Sequence, residues 1–151
     1  MAGYRILSTN HTSFTVSSLD RSIGFFRDVL GFTLLHRGPR DPGFSERVVG
    51  VPGAKLEIAF LQAPGHRIEL IQYLAPAGRK RLESRPCDTG FAHVAFDVDD
   101  IDAVLAAAAK HDVKPLGAPQ MLDAGPNKGG KVAYTRDPDG ITVEFIQPPR
   151  R

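Results

Sequence analysis

An α+β fold built from two copies of one βαβββ module is predicted by three features of the sequence. From His11 the chain reads His-x-x-Phe14-x-Val16-x-x-Leu19-Asp20, and from His93 it reads His-x-x-Phe96-x-Val98-x-x-Ile101-Asp102. A second phrase, Ile68-Glu69-Leu70-Ile71-Gln72, returns as Val143-Glu144-Phe145-Ile146-Gln147. Between these markers the hydrophobic period switches from strand-like to helix-like and back, in the same order twice. Two copies are too few for a solenoid. The sequence therefore predicts one pseudo-symmetric domain over 1–151, with a first module at about 8–76, a connector at about 77–89 and a second module at about 90–148.

In the first module, His11 to Val16 alternates and is rich in β-formers, so a strand is expected. A helix follows, capped by Ser17 or Ser18, with Leu19, Ile23, Phe26 and Leu30 on one face and Gly31 ending it. Phe32 to His36 resumes an extended pattern, and Pro39-Arg40-Asp41-Pro42-Gly43 has the chemistry of a loop. Lys55–Leu61 and His66–Tyr73 complete the module as strands joined at Ala63-Pro64-Gly65. The connector is expected to hold one short charged helical turn. The second module repeats the order: a strand over Phe91–Val98, then a helix capped by Asp99 that turns Ile101, Val104, Leu105 and Ala108 inward. A short strand follows near Lys114–Leu116, and then the Gly- and Pro-rich stretch Ala124–Gly130, either a lid or a hairpin connection. The last hairpin runs Lys131–Thr135 and Ile141–Gln147 around Asp137-Pro138-Asp139-Gly140.

Composition narrows the function classes. The 151 residues carry a net charge of +2 and no concentrated basic face, which gives nucleic acid no electrostatic footprint. Arg79-Lys80-Arg81 with Arg85 reads as a solvated loop face, with a patch for an anionic ligand as the alternative. No apolar run approaches the ~18 residues of a membrane span, and no signal peptide is evident. The lone Cys87 suits a reducing cytoplasm and reads as incidental.

Strand parity then singles out four residues. Phe14 and Val16 lie opposite His11, as Phe96 and Val98 lie opposite His93, and Glu69 and Glu144 are each flanked by apolar residues of the other face. All four point away from the helix-packed core, onto the concave side of a curved sheet. Two carboxylates drawn inward without partners would cost on the order of 8–14 kcal/mol, against a whole-domain stability of about 5–15 kcal/mol. A bound cation removes that cost. Two neutral imidazoles and two carboxylates balance a divalent ion, and mixed N and O ligation suits zinc, nickel, cobalt, manganese or iron better than calcium.

His11, the helix ending Leu30-Gly31-Phe32, Ile68-Glu69-Leu70, Gly90-Phe91-Ala92-His93 and Asp137-Pro138-Asp139-Gly140 leading to Val143-Glu144-Phe145 occur in an order that resembles the vicinal oxygen chelate superfamily. That superfamily includes glyoxalase I, methylmalonyl-CoA epimerase, extradiol dioxygenases and the fosfomycin and bleomycin resistance proteins. The resemblance runs from about residue 8 to 148. It implies paired βαβββ modules in a cupped, eight-stranded mixed sheet flanked by helices, a homodimer, and a small oxygen-chelating substrate. It also implies one divalent metal ion held by His11, Glu69, His93 and Glu144. Glu144 and Glu69 become candidates for moving a proton next to a carbonyl, and Glu57 resembles the acid/base Glu of some epimerases. Thr15 and Tyr73 stand where glyoxalase I carries the Arg and Asn that hold glutathione, and the long connector from Glu69 to His93 fits the epimerases better. Two other readings follow from the same resemblance: an iron(II) dioxygenase using His11, His93 and Glu144, and a non-catalytic drug- or metabolite-binding module.

Overall fold

A computed structural model describes residues 3–150. The chain divides into two compact units, Met1–Pro76 and Ala77–Arg151. In the first, β1 (Thr12–Thr15) leads to α1 (Leu19–Gly24), which continues as a π-helical turn over Phe25–Val29. Then come β2 (Thr33–Pro39), α2 (Pro42–Val49), β3 (Lys55–Ala63) and β4 (His66–Ala75). These strands form a four-stranded sheet in the order β1-β4-β3-β2, with β1 parallel to β4 and the others antiparallel. The second unit holds β5 (Val94–Asp97), α3 (Ile101–Ala109), β6 (Lys114–Pro115), β7 (Gln120–Met121), β8 (Lys131–Arg136) and β9 (Thr142–Gln147). Its sheet runs β5-β9-β8-β6, with β7 also paired to β8. The α+β class and the doubled order thus hold, with one hydrogen-bonded sheet per module.

Each helix covers one face of its own sheet. In the first unit, Leu19, Ile23, Phe25 and Phe26 pack with Leu61, Ile68 and Leu70 in a core from which water is excluded. In the second, Ile101 and Ala108 are buried with Val113, Ala133, Val143 and Phe145, while Val104 and Leu105 are only half-buried. Ser18, not Ser17, caps α1 by accepting from the Arg21 amide, and Asp100, not Asp99, caps α3 by accepting from Ala103. Gly31 ends the first helix at a φ of 71°, a left-handed conformation in which a Cβ would be strained.

The repeated glutamine has a structural role in both modules. Gln72 Oε1 accepts from the Leu19 amide at 2.8 Å, and Gln147 Oε1 accepts from the Ile101 amide at 2.9 Å. Each reaches from the last strand of its module to an otherwise orphaned N–H at the start of the helix. Gln72→Ala is therefore expected to lower stability by about 0.5–2 kcal/mol, the usual cost of losing a helix cap, read as a lower urea midpoint at constant slope. An unchanged midpoint would mean that water replaces the amide without loss.

Two segments differ from the sequence-based expectation, and in a third the structure takes one of the two expected forms. Asp41-Pro42-Gly43 opens α2: Asp41 accepts from the Phe44 amide and Pro42 occupies the first turn, where a missing N–H costs nothing. The connector holds no helix among residues 77–89. Its order comes from Asp88, whose carboxylate accepts from the Arg85 amide at 2.6 Å and from Arg85 Nη2 at 2.8 Å. The Ala124–Gly130 stretch is a hairpin connection pinned by paired backbone bonds between Leu122 and residues 129–130, both 2.8 Å. No helix of the described residues is long and apolar enough to cross a membrane.

Candidate metal centre

The register of each sheet explains how a His and a Glu far apart in sequence meet. In the first unit Ser13 lies opposite Glu69, which lies opposite Phe60 on β3. In the second, Ala95 lies opposite Glu144, which lies opposite Tyr134 on β8. Directly opposed residues share a sheet face, and each His stands two residues before the strand position that faces its Glu. The outcome is the same pair twice. His11 Nε2 is 3.2 Å from Glu69 Oε2, and His93 Nε2 is 2.9 Å from Glu144 Oε2. Both histidine side chains are 33% exposed and both carboxylates 15% exposed, so the two modules present their pairs to solvent alike. Among the described residues no cluster of three or more His, Cys, Asp or Glu stands together.

The donor chemistry of each pair fits a cation. In the first module Asn10 Oδ1 lies 2.8 Å from His11 Nδ1. With that oxygen accepting, the ring proton is placed on Nδ1 and the Nε2 lone pair faces the Glu69 carboxylate. Two lone-pair donors held face to face repel unless a proton or a metal ion is shared between them. An aromatic ring lies beside each imidazole: Phe60 packs edge-on to His11 with centroids 5.6 Å apart, and Tyr134 lies 4.9 Å from His93. The two modules part company here. Tyr134 brings a hydroxyl 3.4 Å from His93 Nε2 where Phe60 offers only carbon. Burial, followed by the Glu144 charge, raises the Tyr134 phenol above its ordinary pKa, so it carries its proton at neutral pH.

Glu57 does not join the pairs. It lies opposite Gln72, three residues along β4 from Glu69 and hence on the helix-covered face. There Arg37 Nε donates to Glu57 Oε1 at 3.0 Å and the same guanidinium also bonds Asp20. The bond to Asp20, and after it the one to Glu57, holds the Arg37 guanidinium above its usual pKa. Glu57, the residue that resembles the acid/base Glu of some epimerases, thus lies on the face opposite Glu69. Leu56, Ile58 and Ala59 are all buried, so both sheet faces are covered at this point and local alternation carries no sidedness. Gln72 is committed to its helix, and Tyr73 shares the face of Glu69. His66 bonds Thr12 Oγ1 at 2.9 Å. His36, at the end of the expected extended segment, lies on β2 opposite Phe60 and extends the row that contains Glu69. Phe60 and His36 escaped sequence reading because only the register reveals them.

A protein of duplicated βαβββ modules, each presenting a His–Glu pair at one register position, is the class that this fold and geometry define. The chain belongs to the Glyoxalase/Bleomycin resistance protein/Dioxygenase superfamily, whose family model matches residues 8–145. It is 32% identical over 148 residues to a 2-epi-5-epi-valiolone epimerase of an Actinomyces species, covering 95% of this chain and 80% of that protein. To the lactoylglutathione lyase of Haemophilus influenzae it is 35% identical over 140 residues, covering 91% and 90% of the two chains. The crystal structure of a glyoxalase family protein from Bacillus cereus superposes with a TM-score of 0.85 at 27% identity, over 99% of both chains.

Proposed function

We propose that this protein is a divalent-metal-dependent enzyme of the glyoxalase type that transfers a proton at a carbon next to a carbonyl, acting on a small substrate as a homodimer. His11, Glu69, His93 and Glu144 would hold the ion. The observation that carries this reading is the recurrence of one His–Glu pair, at one register and with one exposure, in both modules. When bound, a divalent ion supplies Lewis acidity that stabilises negative charge developing on the substrate oxygen.

The chain's own groups account for the proton. Glu144 is the candidate base, because its carboxylate is half-buried and oriented by His93 at 2.9 Å. A positioned base contributes about 10²–10⁴-fold. Glu69 is its counterpart in the first module. The protonated Tyr134 hydroxyl beside His93 is a donor available to a substrate oxygen, and no such donor stands at Phe60. The names of the relatives, an epimerase and a lyase, support this class of chemistry. No observation singles out the three-ligand iron reading, since Glu69 is placed as Glu144 is.

The test is solvent deuterium exchange. Protein loaded in turn with Zn, Ni, Co, Mn or Fe(II) is incubated in D2O with carbonyl substrates that include lactoylglutathione and 2-epi-5-epi-valiolone. Deuterium is expected next to the carbonyl of at least one substrate. It is expected to vanish with a chelator and to fall by about 10²-fold or more in Glu144→Gln. Absence of exchange with every ion and substrate would sink the proposal.

A further inference from the structure

A cavity of about 480 Å³ opens in the second unit where the Arg81–Asp88 segment meets Arg136 and Gly140. We propose that this cavity is a subsite for an oxyanion, a carboxylate or a phosphate, carried by a small molecule that also reaches the His93–Glu144 pair. Identifying that molecule as the enzyme's substrate rests on the function proposed above; the anion site itself does not.

The charges of the lining favour an anion. Arg81, Arg85 and Arg136 face Glu83 and Asp88. Arg85 is matched by Asp88 through its backbone amide and its guanidinium, so this pair compensates itself. Arg136 donates from Nη2 to a neutral acceptor, the Ser84 carbonyl, at 2.9 Å. That bond fixes the guanidinium in the cavity wall without neutralising it. Arg136 Nε and Thr142 Oγ1 are both buried without a hydrogen-bond partner, and these two residues are cross-strand neighbours. The Asp137 carboxylate is turned to its own turn, accepting from the Asp139 and Ile141 amides at 2.8 Å. Among the lining residues three arginines stand with two acids, Glu83 and Asp88. A guanidinium fixed in position suits the planar, two-point recognition of carboxylate and phosphate.

The cavity is also built in a specific place. Gly140 has a φ of +88°, and a Cβ there would stand 3.3 Å from the Leu82 carbonyl oxygen. Glycine thus lets the turn after β8 approach the connector closely enough to form the wall. Arg136 follows Tyr134 by two residues on β8, and its partner Thr142 precedes Glu144 by two on β9. Arg136 therefore shares a sheet face with the His93–Glu144 pair, about 7 Å further along the strands. A molecule that short can place its anionic end on Arg136 and its other oxygens at the pair.

Inorganic phosphate and, in a separate arm, succinate are to be titrated into the chelator-treated full chain, with backbone NMR signals of residues 81–88 and 136–140 as the readout. Saturable shifts with a Kd on the order of 1 mM are expected for at least one probe, and the responding probe names the anion. Arg81→Gln, on an exposed segment whose loss leaves the core intact, is expected to weaken binding about tenfold, and Arg136→Gln by more. Glu83→Gln is expected to tighten it. No saturable response to either probe, or a response untouched by both arginine variants, overturns the subsite. Metal uptake without an anion response would remove the subsite and leave the proposed function standing. An anion response in the unsubstituted protein, if that protein takes up none of the divalent ions, would keep the subsite and remove the proposed function.

Discussion

His93→Ala is expected to lower divalent-metal affinity by more than two orders of magnitude while leaving the fold intact. His93 precedes β5 and its side chain is one-third exposed, so its removal leaves no core void. What it removes is a nitrogen donor 2.9 Å from Glu144. Losing a mere supporting contact to a ligand costs about 10–100-fold in metal affinity, and losing the donor itself must cost more. Glu144→Gln keeps the shape and deletes the charge, and should fall similarly because a neutral amide cannot balance a cation. By the symmetry of the pairs, His11→Ala and Glu69→Gln should match their counterparts within a few-fold. Elemental analysis after incubation and gel filtration, with calorimetric titration of each ion, measures this directly. Stoichiometric uptake that persists in all four variants would refute the proposed ligand set.

The pairs could be picked out in the sequence because duplication turns an uninformative residue into a matched one. A single His before a strand says little; the same His before the same Phe-x-Val pattern, followed far downstream by the same Glu, fixes a parity and a register at once. The echoed Gln72 and Gln147 carried information of the same kind, but of a structural sort: both cap helices, and repetition alone does not separate a cap from a ligand. Glu57 shows where local alternation fails. With buried residues on both sides of β3, its side is fixed only by pairing with Gln72, a long-range fact. Helix α2 was hidden for a related reason. Its Phe44 and Val48 are exposed while Ser45 is buried, so no apolar stripe marks it, and its Asp-Pro opening is equally the chemistry of a turn. Tyr134 and Phe60 occupy equivalent register positions, and no residue pattern in the sequence announces that a hydroxyl distinguishes the modules.

Phe26→Ala is expected to produce the largest loss of stability, about 3–5 kcal/mol, in a chain whose total is expected near the usual 5–15 kcal/mol. Phe26 is 2% exposed and stands at the centre of an aromatic cluster, with ring centroids 5.1 Å from Phe25, 5.8 Å from Phe32 and 6.4 Å from Phe14. A regular α-helix would turn two successive residues about 100° apart. The helix instead widens here: the Leu30 amide bonds the Phe25 carbonyl at 3.3 Å in a π-helical turn, and Phe25 and Phe26 are both buried. The periodicity that placed Leu30 on the same buried stripe is shifted by that extra residue, and Leu30 ends half-exposed. Truncating Phe26 empties a site walled by rigid rings that cannot collapse onto it, which is where cavity costs are highest. Phe26→Leu, which restores much of the volume, should recover more than half of the loss. Chemical denaturation of the two variants decides the matter. A deficit below about 1 kcal/mol for the alanine form would show that the widened turn relaxes to a regular helix and refills the core with Leu30.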